Sequence, residues 1–312
     1  MFAHVRAVTP GGHRDDGKKE GKEDGLDVPF YGAVSEQNCH PFRHQQFTFM
    51  HNGGLSGFTQ VKRALLNLLE DYIFNAIDGN TDSEHCFGVF LTLARHRYEK
   101  IQARQVEEEE EAMGPLSQMQ DMDFLANTTQ DTINQLLELE YEDGVQSASS
   151  LNFAISDGVN VVATRCRNDT VQDAPSLYYC CGYCGHMSGA DLKVGSCDTC
   201  KERRARGDPP TNVIVSSEPV TKNNDANWKL VPKNAMICIE GDPDKPGVIR
   251  SVTIRELMLN PAYMRENGRR SRSKMSNSTG RGRYATRLID EFQMTEPDAG
   301  RPPPRRLTAP LY

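Results

Sequence analysis

Four cysteines in the second half of the chain, Cys181, Cys184, Cys197 and Cys200, follow the spacing C-x2-C-x12-C-x2-C. Two thiolate pairs joined by a short loop suit a tetrahedral zinc site, closed to water and therefore structural rather than catalytic. The competing reading is a set of free thiols in a surface insertion. Cys180 and Cys181 end an apparent strand, where neighbouring side chains face opposite ways. Three polar stretches are the other places where chemistry could sit. They are His4-Val5-Arg6-Ala7, then Asn38-Cys39-His40-Pro41-Phe42 with Met50-His51-Asn52-Gly53, then Thr81-Asp82-Ser83-Glu84. Taken singly each has a plain structural reading. Arg6 is a charge at a strand end, Asn52-Gly53 is a turn, and Asp82 is a first-turn helix acid stabilised by the macrodipole.

The elements that must position these residues follow from periodicity. Residues 3–8 alternate like a short strand, and residues 11–28 are a charged, glycine-rich surface insertion. The run QFTFMHN reads as a strand ending on Asn52-Gly53-Gly54. Residues 57–77 read as one helix, with Val61, Leu65, Leu68, Leu69, Tyr72 and Ile73 on its apolar face and Gly79 closing it. A second helix starts at Thr81, where Thr81 and Glu84 form a capping box, and buries Phe87, Phe90, Leu91 and Ala94. It is expected to run out near Ile101. A third helix is expected over 129–141. From residue 150 the period changes to two. Asp157-Gly158 predicts a type I′ hairpin between 151–156 and 159–166, and further strands are expected at 176–181, 211–218, 234–241 and 248–254. Helices followed by many antiparallel strands make an α+β layered domain.

The 312 residues can bury a core. The 37% hydrophobic content and mean hydropathy of −0.61 leave room for disordered segments. The stretch after residue 261, rich in arginine and serine, reads as a basic, solvated tail. A net charge of −7 gives no reason to expect nucleic-acid binding. No apolar stretch is long enough to span a membrane, and the N-terminus has no secretory pattern. The expected location is cytoplasmic.

In their order along the chain, HVR, NCHPF, FMHNG, a leucine-rich helix and TDSE resemble the class II glutamine amidotransferases, a branch of the N-terminal-nucleophile (Ntn) hydrolases. SLYY, VIVSSEPV and WKLVP fit the same group. The sequence looks like the amidotransferase-like subunit of the fungal-type glutathione-degrading complex and its bacterial relatives. The resemblance implies an α+β fold, the four-layer αββα sandwich, truncated at its N-terminus. The type-2 amidotransferase domain would cover 1–256, with a Cys-rich insertion at 182–209 and the tail at 261–312.

The resemblance also assigns roles. Arg6 would hold the α-carboxylate of a γ-glutamyl substrate and Asp82 its α-ammonium. The Asn52 carboxamide and the Gly53 backbone N–H would stabilise the oxyanion. The family's nucleophile is an N-terminal cysteine whose own amine serves as base. Met1-Phe2 cannot supply it, and Cys39 has no free amine, so the sequence as given is expected to be inactive. The implied activity is γ-glutamyl amide hydrolysis on glutathione or glutamine, with a peptidase-like partner subunit and no cofactor required. One alternative is a non-catalytic γ-glutamyl-binding or regulatory subunit. Another is a zinc-ribbon interaction protein built on Cys181, Cys184, Cys197 and Cys200.

Overall fold

The structure, a computed structural model, describes residues 36–107, 116, 119–182, 185–188, 191–194, 198–220 and 228–266. Strands β1 (Phe42–His44) and β2 (Phe47–Gly54) come first. Helices α1 (Phe58–Leu68), α2 (Asp71–Phe74), α3 (Asp82–Glu107) and α4 (Met122–Glu142) follow. Next come β3 (Ser150–Ser156), β4 (Val161–Arg165), β5 (Tyr178–Gly182), the hairpin β6 (Gly185–Ser188) and β7 (Asp191–Val194), and α5 (Asp198–Ala205). The chain then forms β8 (Asn212–Ser216), β9 (Lys229–Leu230), β10 (Ala235–Gly241) and β11 (Ile249–Glu256).

Six strands pair antiparallel in the order β1-β2-β3-β4-β10-β11, and β8-β5-β9 form a second sheet. The period-two alternation sorts the side chains of the large sheet into two cores. Phe47 and Phe49 of β2, Phe153 of β3, Val162 of β4 and Cys238 of β10 face the helices, where Phe87, Phe90, Leu125 and Leu136 meet them. Ala163, Ile237, Ile239 and Val252 face the other way, onto Tyr179, Val213 and Val215 of the second sheet and onto Leu177 just before it. The described residues thus form three layers, helix, sheet and sheet, in an α+β arrangement.

Several local expectations change. The single helix expected over 57–77 breaks, because Leu69 and Glu70 are extended (ψ 141° and 143°). The break resets the helical phase, so that Leu69 and Ile73 are buried while Tyr72 is 45% exposed. Glu70, at the break, accepts a bond from His96 Nε2 of α3 at 2.8 Å. Gly79 closes no helix. It lies in the loop before α3, where an added Cβ would fall 2.5 Å from Asn38 Oδ1 and 2.5 Å from Glu84 Oε2.

The capping box forms by half. Thr81 Oγ1 accepts the Glu84 N–H at 3.3 Å. The Glu84 carboxylate instead takes the Asp78 and Gly79 N–H groups at 3.0 and 2.7 Å, bracing that loop. Thr81→Ala should cost about 1 kcal/mol of stability, read as a lower denaturation midpoint. Helices α3 and α4 both outrun the expected spans, and Asp121 caps α4 by accepting from Phe124 N–H.

The β3–β4 turn is not a two-residue hairpin, since Ser156 pairs with Val161. Asp157 Oδ1 accepts the N–H groups of Val159 and Asn160, which stabilises a four-residue loop. The ordered chain also continues past the expected boundary at 256. Leu257 is buried, Tyr263 packs on the helical core, and the Arg265 N–H donates to Asn168 O at 2.7 Å. The strand expected at 3–8, the insertion 11–28 and the tail from 267 onward lie outside the described residues.

Candidate functional site

Strand β2 delivers Asn52 and Gly53 to the end of the large sheet, opposite Asn152 and Leu151 of β3. Gly53 has φ +145°, and a Cβ there would lie 2.0 Å from Ser150 O. Glycine is required because the neighbouring backbone passes at that distance. Two residues on, the Leu55 N–H donates to Asp82 Oδ2 at 2.8 Å. Asp82 begins α3, and its Oδ1 accepts the Ser83 N–H at 2.9 Å. The end of β2 and the start of α3 are therefore bonded through the Asp82 carboxylate. That carboxylate is half-buried and keeps lone-pair capacity beyond these bonds. Asn52 is exposed.

His51 ties the same elements from beneath. Its Nε2 lies 3.0 Å from Ser150 O and its Nδ1 3.1 Å from Ser83 Oγ. A carbonyl only accepts, so Nε2 carries the proton. In the neutral ring Nδ1 then accepts from the Ser83 hydroxyl, whose single proton has Asp82 Oδ1, at 3.3 Å, as its other acceptor. One buried imidazole thus fixes β2, β3 and α3 relative to each other.

Behind the turn, Ser56 N–H donates to Ser149 Oγ at 2.6 Å, and Ser149 Oγ–H donates to Glu140 Oε1. Glu140 is fully buried on α4. Burial pushes its carboxyl from 4.5 up to about 7, against the lowering effects of Ser149 and Arg265. The folded chain binds this proton more tightly than the unfolded one. The group's ionisation therefore opposes folding: stability is lost as pH rises from about 4.5 to about 7, and the full penalty applies above that. A cavity of about 230 Å3 between β1, α2 and α3 reaches Glu84 but is not lined by Asn52, Gly53 or Asp82.

No family model matches the chain. Over 246 residues it is 33% identical to the probable glutamine amidotransferase DUG3 of Saccharomyces cerevisiae, an alignment covering 77% of this chain and 57% of that protein. In sequence the chain is thus similar to a glutamine amidotransferase over about three quarters of its length. It spans little more than half the length of that relative. Solved structures similar to this chain include a glutamine aminotransferase class-II domain protein from Silicibacter pomeroyi, at 20% identity and TM-score 0.44, covering 72% of each chain. Another is called a predicted glutamine amidotransferase from Pseudomonas aeruginosa, at 19% identity and TM-score 0.40, covering 70% of this chain and 66% of that one.

Of the expected site residues, Asn52 and Gly53 lie at the end of β2, Asp82 starts α3 and accepts from Leu55, three residues past Asn52, and Arg6 lies outside the described residues. Cys181 sits on β5 and packs against the inter-sheet core beside Tyr179 and Val213. Burial, with Cys180 beside it, pushes its thiol up to about 11. Cys180, on the opposite face of the strand, is fully buried. Cys184 and Cys197 lie outside the described residues, and Cys200 falls within α5. Among the described residues no three His, Cys, Asp or Glu side chains group as a metal site.

The sequence reading missed Glu140, Ser149 and Ser56. A signal was present: Glu140 follows Leu136 and Leu137 by four and three positions, which places a carboxylate on an apolar helical face.

Proposed function

We propose that Asn52, Gly53 and Asp82 form the recognition half of a site for hydrolysing γ-glutamyl amides. Asp82 holds the substrate α-ammonium. The Asn52 carboxamide and the Gly53 N–H stabilise the oxyanion that forms when the γ-carbonyl is attacked, and Arg6 takes the α-carboxylate. The observation that carries the reading is the bond from Leu55 N–H to Asp82 Oδ2. It holds an anion for the amino-acid end of the substrate beside the turn that presents the oxyanion donors. The nucleophile, an N-terminal cysteine by resemblance to the family, is not among the described residues.

The substrates proposed are glutathione and glutamine, and the setting proposed is the cytosol, with a peptidase-like partner subunit. These finer points rest on the sequence resemblance. Glutathione and glutamine present the same α-carboxylate and α-ammonium, so Arg6 and Asp82 treat them alike. The choice between them falls to whatever surrounds the leaving group. The reading needs no cofactor.

Calorimetry on the purified chain tests it. L-glutamine and glutathione should bind with affinities within about tenfold of each other. N-acetylglutamine, which lacks the ammonium, should bind at least about tenfold more weakly. Equal affinity for the blocked compound, or no binding of either parent ligand, would sink the proposal.

A further inference from the structure

Glu140 is the buried group that the proposed chemistry does not use. Its Oε1 accepts from Ser149, while its buried Oε2 has no hydrogen-bond partner. A carboxylate in that state opposes folding, and residues that oppose folding concentrate where function requires them. The groups that face it are Arg265, from the segment after β11, and the thiols of Cys86 on α3 and Cys166 beyond β4. Burial raises both thiols, and the Glu140 charge raises them further. The charged and titratable groups around Glu140 are thus one cation and two neutral thiols, and the Ser56 N–H and the Asn168 side chain also act on its carboxyl.

The route from Glu140 to the site is one hydroxyl long. Ser149 has a single hydroxyl proton. Donated to Glu140, it leaves the oxygen lone pairs directed at Ser56 N–H. The Ser149 backbone is itself pinned, its N–H donating to Asn168 Oδ1 at 2.7 Å. Ser56 answers with its own hydroxyl on Ala148 O at 2.8 Å. The preceding N–H, that of Leu55, is the one on Asp82.

We infer that Glu140 is a positioning residue for the γ-glutamyl site, orienting the Ser149 hydroxyl so that the turn after Gly54 presents Leu55 N–H to Asp82. This rests on the reading of Asn52, Gly53 and Asp82 given above. Its physical content is that position 140 must offer a hydrogen-bond acceptor. Glutamine can replace glutamate there, whereas leucine of similar bulk cannot.

The test compares the full chain with Glu140→Gln, Glu140→Leu and Ser149→Ala. Three readouts are needed: amide exchange at Ser56, thermal midpoint against pH, and affinity for L-glutamine. In Glu140→Leu, Ser56 exchange should speed up about tenfold and affinity should fall about tenfold. Its thermal midpoint at pH 8 should stay level or rise. Ser149→Ala should reproduce the exchange and affinity changes. Glu140→Gln should restore both to parent values while flattening the pH dependence of the midpoint between pH 5 and 8.

Unchanged exchange at Ser56 in Glu140→Leu or in Ser149→Ala overturns the inference. So does affinity that falls only in step with the thermal midpoint. Exchange that follows the expected pattern in a chain that binds no glutamine keeps the hold of Glu140 on the turn and defeats the site assignment instead.

Discussion

Gly53→Ala should lower stability by about 3 kcal/mol or more, because two penalties coincide at one carbon. The backbone at φ +145° is one that side-chain-bearing residues rarely adopt, at a cost on the order of 1–3 kcal/mol. The new Cβ would also fall 2.0 Å from Ser150 O, 2.8 Å from Ser150 C and 3.1 Å from Ser150 Cβ. Two of those three atoms are backbone and cannot swing aside. Relief requires β2 to move away from β3, which strains the bond from His51 Nε2 to the same carbonyl. Gly54→Ala is the control. Its Cβ would meet only Asp82 Oδ2, at 3.6 Å. Denaturant titration should separate the two variants clearly. A loss below about 1 kcal/mol for Gly53→Ala would show that the β2–β3 approach is looser than described.

Asp82→Asn should weaken L-glutamine binding by about 100-fold. A hydrogen bond to a charged group contributes about 1.5–3 kcal/mol, and each 1.4 kcal/mol is about tenfold in affinity. The amide cannot substitute, for a reason visible in the geometry. Leu55 N–H and Ser83 N–H donate to different oxygens of the carboxylate. Asparagine has one acceptor atom, so whichever N–H keeps it, the other faces an NH2 group. The turn then shifts, and the ammonium loses its counter-charge as well. Asp82→Ala should add a stability cost of about 1–3 kcal/mol for the orphaned N–H groups. Isothermal titration of both variants decides the matter, and Asp82→Asn binding within threefold of the parent would remove Asp82 from the site.

These two effects arise at residues whose types the sequence displays but whose reasons it hides. Glycine after asparagine reads as a turn. Its necessity comes from the Ser150 carbonyl on a neighbouring strand. An acid at the start of a helix reads as dipole compensation. Its bonding to Leu55 depends on how β2 and α3 meet. The broken helix at Leu69–Glu70 was also hidden, because apolar spacing continues through the break. So was the four-residue β3–β4 loop, where the Asp157 carboxylate outweighs the Asp-Gly turn preference.

Local periodicity alone marked most of the longer elements of this chain. Alternation marked β2, β3, β4, β5, β8, β10 and β11, and helical spacing marked α1, α3 and part of α4, because each pattern records which side chains leave water. The order HNG, helix, TDSE also carried the resemblance to glutamine amidotransferases. Tertiary structure decided what those elements build. It put Asp82 against the turn after Asn52-Gly53, placed Cys181 in the inter-sheet layer, and buried Glu140 behind Ser149. The first two join segments far apart in sequence, and the third spans nine residues across the α4–β3 connection. The energy of each depends on burial and on how the polar atoms are aimed, which residue type and spacing hint at for Glu140 but do not fix.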